Sequence, residues 1–386
     1  MFQVALIAGL VCLLGWLYLL LAHGSFWKIW RLVSDTEPAR IIDGLIAVVI
    51  PARNEADVIS DAVTSLLRQT CASSLRIFVV DDNSSDGTSE AALAAARKCC
   101  AAEQVCVIQG TPLSAGWTGK LWAVQQGIDR AMSLNPTFLL LTDADIYHSP
   151  DNIAKLVATA NAANYDLVSF MVRLHCCSFA ERLLIPAFVF FFFMLYPPLW
   201  IRDNKKRIAG AAGGCMLVRP SALKQSGGIG AIRGEIIDDC ALAGIIKRSG
   251  GRVWLGVTDA THSTRMYSSF SEIERMIART AFNQLHHSAL LLLGALVGLG
   301  IAFLLPLALL AGATLSLVVL GLASWLLMIV TYVPVVRFYR LAWSWALTLP
   351  LGAVFYMAAT IHSAWKYWTG RGGDWKGRPQ DVAHSH

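Results

Sequence analysis

The apolar positions of this chain follow three rhythms. From Phe2 to Leu21 no Asp, Glu, Lys or Arg interrupts them, and about 20 such residues suffice to cross a bilayer as a helix. A second block, 288–336, is almost free of charge and long enough for two spans, and 341–361 is long enough for another. Between these blocks, about residues 40–285, short apolar runs alternate with charged and turn-forming residues, as in a globular domain. There "GLIAVVI" (44–50) predicts a strand ending at Pro51, and Val58, Ile59, Ala62, Val63, Leu66 and Leu67 recur at helical spacing. "LRIFVV" predicts a strand that empties into "DDNSSDGT", and Asp86 is placed to cap a helix over "SEAALAAARKCC". "QVCVI" predicts a third strand, "LWAVQQGIDRAM" a helix, and "FLLL" a fourth strand running into Asp143 and Asp145. Strand and helix alternating four times predict an α/β domain with a mostly parallel sheet covered on both faces.

Composition sharpens the membrane reading. Hydrophobic residues make up 55% of the 386 and charged residues 15%, against roughly 25% charged in an ordinary soluble protein. Residues 1–23 read as an uncleaved anchor rather than a signal peptide, because no basic residue precedes the apolar run and Trp16 and Tyr18 sit near its end. Lys28 and Arg31 follow it, so the charge rule puts the domain at 40–285 in the cytosol of an inner-membrane, multi-pass protein. The C-terminal membrane region is expected over 288–365, with a basic tail over 366–386. Three spans there would leave Lys366, Arg371, Lys376 and Arg378 on the outer face, against that rule. Either one C-terminal segment is re-entrant or interfacial, or the rule fails here. Residues 183–200 are apolar but broken by Pro186, Pro197 and Pro198, and read either as an interfacial segment in the cytosolic leaflet or as a buried core helix.

Charge and cysteine usage narrow the partners. A net charge of +6, with basic residues beside apolar segments, fits anionic lipid headgroups and not nucleic acid. The nine cysteines show neither C-x-x-C nor metal-ligand spacing, as in a reducing compartment.

In open α/β sheets ligands sit beyond the carboxyl ends of the strands. Asp81-Asp82, Asp143/Asp145 and "PARNE" (51–55) all fall there. Each acidic pair alone reads as a turn or as a site; together on one sheet edge they favour a site. Residues i and i+2 of a strand project to one side, so Asp143 and Asp145 can serve together if the strand continues through them.

At these residues the chain resembles the family 2 glycosyltransferases, which use nucleotide-sugar donors and have the Rossmann-like GT-A fold. The resemblance spans about 44–285 and rests on "VVIPARNEADVI", "VVDDNSSDGT", "LLTDADIYHSP", "GGCMLVRPSAL" and "DDCALAGIIKRSGGRV", in that order. "GWTGKLWA" between flanking membrane segments is most similar to the hopene-associated and ceramide-glucosyltransferase-like branch, which also shows a "WKGR" motif like that at 375–378. The resemblance implies that Pro51, Arg53 and Glu55 hold the nucleotide and that Asp82, with Asp81, accepts the uracil imide N–H. It implies that Lys120 approaches the diphosphate, that Asp143 and Asp145 bind the nucleotide and Mg²⁺ or Mn²⁺, and that Asp239, beside Asp238, is the catalytic base. A (Q/R)-x-x-R-W motif common in relatives is altered here: Arg279 matches its arginine, but Met276 and Thr280 replace its first and last residues. Arg279, assisted by Arg275, is expected either to stabilise the leaving group or to belong to an interfacial helix.

The implied activity is inverting hexosyl transfer from a donor, UDP-linked, to a hydroxyl of a lipid acceptor, hopanoid- or sphingolipid-like. A polyprenyl-phosphate acceptor is the alternative within the fold. A non-catalytic transport or scaffold subunit with a degenerate domain is the alternative outside it. Trp117 and Trp122 are candidates to face a sugar ring, His262 is a weaker site candidate than a packed histidine, and Gly213-Gly214 mark either a turn or a close backbone approach.

Overall fold

The computed structural model describes residues 2–33, 36–39, 42–71, 75–370, 374–376 and 378–379. Arg40, at the start of the expected domain, and Arg371 and most of the expected basic tail lie outside the described residues. Contacts divide the chain into two units. One comprises Met1–Arg31, Cys176–Leu199 and Met266–Gly373; the other comprises Leu32–His175, Trp200–Arg265 and Asp374–His386.

The second unit is α/β. Its elements in chain order are β1 (Ile46–Ala52), a helix at Ala56–Leu67, β2 (Leu75–Asp81), a helix at Thr88–Lys98, β3 (Val105–Gln109), a helix at Gly119–Met132 and β4 (Phe138–Leu141). There follow β5 (Ile146–Tyr147), a helix at Asn152–Ala162, β6 (Leu167–Arg173), β7 (Met216–Val218), a helix at Asp238–Arg248 and β8 (Val253–Ser263). The sheet order is β3-β2-β1-β4-β7-β6-β8-β5. The strands β1 to β4 pair in parallel, as expected. Beyond them the sheet is mixed, so that four of its seven described pairings are parallel. Only β6–β8 is parallel there, while β4–β7, β6–β7 and β5–β8 are antiparallel. The strands β5 and β7 are only two and three residues long, too short to read as strands from the sequence.

All seven residues of β1 are buried, as befits a strand covered on both faces. Its pairing with β2 continues to Ala52, whereas its pairing with β4 stops at Val49. Pro51 therefore stands where the β4 ladder has ended, and its missing N–H costs no hydrogen bond on that side. The sheet order reverses at β1 and β4. The crevice beyond their carboxyl ends is the switch point at which such sheets bind ligands. On the opposite side of β1, Gly127 lets its helix lie directly on the sheet: a Cβ there would stand 2.4 Å from Val49 and 3.0 Å from Val80.

The first unit is helical. Helices at Phe2–Leu21, Phe179–Arg202, Ala289–Leu310, Leu315–Phe338 and Trp343–Trp368 are long and apolar enough to cross a membrane. Trp16 anchors the first of them, with Nε1 donating to the Ala302 carbonyl at 2.8 Å and its ring edge-on to Phe303. Gly9 permits close helix contact, since a Cβ would meet Leu309 at 3.0 Å and Leu320 at 3.1 Å. The Phe179–Arg202 stretch is the most enclosed of the five, with 61% of its apolar window buried within the protein. A capping box at its start, Ser178 with Glu181, satisfies the first turn, and Glu181 also accepts from the Tyr267 backbone at 2.7 Å.

Candidate active site

Four of the expected residues line one cavity at the β1/β4 crevice: Pro51, Lys120, Asp143 and Asp238, with Gly213 beside them. Lys120, near the start of its helix, extends its ammonium to Asp143 Oδ1 at 3.0 Å and to Asp238 Oδ2 at 3.1 Å. Burial works against the charged lysine, but Asp143 and Asp238, with Asp239 nearby, outweigh it and raise its pKa above the ordinary lysine value. Asp238 and Asp239 occupy the first turn of the helix at Asp238–Arg248, where the helix dipole favours negative charge. The antiparallel pairing of Leu141 with Met216 brings the 213–215 turn beside the end of β4, and Thr142 Oγ1 donates to the Gly214 carbonyl at 2.7 Å.

Asp239 accepts hydrogen bonds from the backbone N–H of Gly213 at 2.8 Å and of Cys240 at 2.7 Å. Burial first, and the Asp238 charge second, push its carboxyl up to about 6, against the opposing pull of Lys120 and the two N–H groups. A carboxylate near neutrality in a cleft is suited to take a proton.

A second bridge stands beside the first. Arg265, just past β8, donates from Nη2 to both Glu55 oxygens at 2.8 and 2.9 Å and from Nε to Asp145 Oδ2 at 3.0 Å. Ser263 Oγ also donates to Asp145 Oδ2. Glu55 is pushed up by burial and held back by Arg265 and Lys376. Thus Asp143 and Asp145 do not act as adjacent positions of one strand. Because β4 ends at Leu141, a turn carries the acids to different partners, Lys120 and Arg265.

On the nucleotide side, Arg53 Nη1 donates to the Asp82 carbonyl at 2.5 Å and lies 3.5 Å from its carboxylate. Both oxygens of Asp81 accept within the turn, from Ser84 N–H and Ser89 Oγ. Asp86 stands one residue ahead of the cap position expected for it. Gly87 in the left-handed region is the N-cap, while Asp86 accepts from Thr88 and from the Ala56 backbone.

Other expectations resolve differently. Arg279 lies at the C-cap of a helix of the helical unit, Phe270–Ala278, and it is exposed. Trp117 and Trp122 stack edge to face on each other at 5.2 Å. His262 stacks on Tyr147, and His148 is buried between Thr142 Oγ1 and Asn152 Nδ2. Sequence reasoning overlooked Arg265 and Lys376. Arg265 lies two residues past β8, and no local sequence signal ties it to Glu55 or Asp145.

Among the described residues no three His, Cys, Asp or Glu side chains form a metal-binding group. The donor chemistry nevertheless suits a hard cation. Mg²⁺ takes one or two carboxylates and completes its shell with phosphate and water. Asp143, Asp238 and Asp239 gather around the Lys120 ammonium, a set of carboxylate oxygens of the kind such an ion accepts.

Residues 47–227, just under half of the chain, match the family model described as glycosyl transferase family 2. Among solved structures, the chain is similar to the mannosyltransferase PcManGT from Pyrobaculum calidifontis, determined with GDP-Man and Mn²⁺. Identity is 19%, over 95% of this chain and 99% of that one, with a TM-score of 0.60. It is also similar to glucosyl-3-phosphoglycerate synthase from Mycobacterium tuberculosis, determined with Mn²⁺, UDP and glucosyl-3-phosphoglycerate. That likeness has 18% identity, covers 61% of this chain and 76% of that one, and has a TM-score of 0.37. No curated protein matches the chain in sequence. The first likeness establishes that the chain shares the fold of that mannosyltransferase.

Proposed function

We propose that this protein is a membrane-bound inverting glycosyltransferase that moves a hexosyl group from a UDP-linked donor to a lipid hydroxyl. The observation that carries the reading is the meeting of Lys120, Asp143 and Asp238 in one crevice, with Asp239 adjoining it. In this reading Pro51, Arg53, Glu55 and Asp82 bind the nucleotide, and Lys120 lies against the diphosphate. Asp239 accepts the proton of the attacking hydroxyl, a contribution typically worth ~10²–10⁴-fold in rate. A single base without a separate nucleophile favours direct displacement, hence inversion. Mg²⁺ or Mn²⁺ held by Asp143, with Asp145, would supply Lewis-acid stabilisation of the leaving diphosphate. The nucleotide sugar and Mn²⁺ of the mannosyltransferase complex support a donor of this class. The branch most similar to this chain, hopene-associated or ceramide-glucosyltransferase-like, suggests a hopanoid or sphingolipid acceptor.

We place the domain in the cytosol at the inner membrane, with the five apolar helices as the membrane-associated part. Strand pairing limits how they cross. Leu167 of β6 pairs with Val218 of β7, so Phe179–Arg202 leaves the α/β unit and returns to it, and does not make a single crossing. Lys376 touches Glu55, so the chain is back in the α/β unit after the helical stretch that begins at Met266.

The test is transfer from a panel of nucleotide sugars by the membrane fraction, with mass detection of a glycolipid. Product absent from a D143A/D145A variant supports the function. Asp239→Asn separates the acceptors. Loss of most turnover supports a hydroxyl, whereas near-normal turnover points to polyprenyl phosphate, which is already anionic and needs no base.

A further inference from the structure

The C-terminal strands β9 (Asp374–Trp375) and β10 (Arg378–Pro379) form a short antiparallel hairpin in the α/β unit. Lys376 at its turn touches three successive residues of the loop after β1. Its carbonyl accepts from Arg53 Nε at 3.1 Å, and its ammonium donates to the Asn54 carbonyl at 3.0 Å and pairs with Glu55 Oε1 at 3.1 Å. Lys376 and Asn54 both lie in the left-handed region, at φ 52° and 51°. For residues other than glycine that conformation is unfavourable and persists where surrounding contacts enforce it. The loop is fastened on its other side as well. Asn54 N–H donates to Ser84 Oγ, Asn54 Oδ1 accepts from Ser85, and Glu55 N–H donates to Thr88 Oγ1.

We infer that Lys376 is a positioning residue of the donor pocket, which fastens the Arg53–Glu55 loop and so sets affinity for the nucleoside diphosphate of the donor. The inference rests on the glycosyl-donor reading above. Two relays carry it. Through Glu55, Lys376 shares a carboxylate with Arg265, which in turn holds Asp145. Through its carbonyl it orients Arg53, whose Nη1 holds the Asp82 backbone. Without the lysine, Glu55 retains only Arg265 of its two cations, and the arginine's hold on Asp145 is redistributed toward Glu55. Both ends of the nucleotide pocket then loosen, while the sheet beneath is untouched.

The test uses the full chain in detergent with Mn²⁺. It measures UDP and GDP binding by calorimetry and thermal unfolding of wild type, Lys376→Met and Lys376→Arg. Removing charged hydrogen bonds predicts that Lys376→Met weakens nucleotide binding roughly 10- to 100-fold. Its Tm is expected to match wild type, and Lys376→Arg to restore binding. Equal binding by wild type and Lys376→Met overturns the inference, as does a loss that arginine fails to rescue. If Lys376→Met does not fold, tenfold weaker binding by a folded Lys376→Arg overturns it. Should wild type bind neither nucleotide, the donor reading itself falls.

Discussion

The backbone N–H of Gly213 donates to Asp239 Oδ2 at 2.8 Å, and a Cβ on Gly213 would stand 3.3 Å from that oxygen and 3.6 Å from Lys120 Nζ. The glycine lets main chain approach the candidate base without displacing it. A Cβ there would crowd the carboxylate by a few tenths of an ångström, and Gly213 has no positive φ that would otherwise call for glycine.

Gly213→Ala is therefore expected to shift Asp239 by a few tenths of an ångström and lower kcat on the order of 10-fold or more, because small misplacements of reacting groups are costly. Donor Kd should change little. Steady-state kinetics with calorimetry check the split.

The pH profile follows from Asp239. With its carboxyl at about 6, kcat/KM should be level above that pH and fall about tenfold per unit below it as the base is protonated. Stability runs the other way. A carboxyl raised in the folded state contributes stability below its ordinary value near 3.8, and that contribution is lost as pH rises through about 6. Asp239→Asn should thus unfold at a higher temperature than wild type at pH 8, with the gap closing toward pH 4.

Chelation should abolish turnover, and Mn²⁺ or Mg²⁺ should restore it. Asp143→Ala should remain inactive at metal concentrations that restore wild type. Activity in the metal-free wild type would remove the ion from the reading.

Gly127→Ala tests the helix–sheet contact, far from the chemistry. Alanine is the better helix former by roughly 1 kcal/mol. A methyl 2.4 Å from Val49 forces overpacking, typically costing ~1–3 kcal/mol. Because β1 and β2 are buried on both faces, the clash should win and the denaturation midpoint fall.

Much of this protein is legible in one dimension. The strands β1 to β4 and their helices announce themselves because burial on both faces demands unbroken apolar runs, and the helices between them need a periodic stripe. The membrane-competent helices are equally plain, since their length and lack of charge are properties of the chain itself. Pro51, Asp82, Asp143 and Asp239 could be singled out because acids and turn residues collect beyond strand ends.

Only the tertiary structure decided which charges meet. Arg265 lies 120 residues from Asp145, and Lys376 lies 321 from Glu55. A lone arginine or lysine carries no local signal of its partner, because ion pairing depends on distance in space and not along the chain. The short antiparallel strands β5 and β7 were hidden for the same reason, their edges being set by neighbours. Asp143 and Asp145, adjacent in a strand pattern, were parted by a turn after Leu141 and joined to two different cations. Composition and periodicity determined the sheet, its edge and the candidate acids; packing determined how those acids are paired.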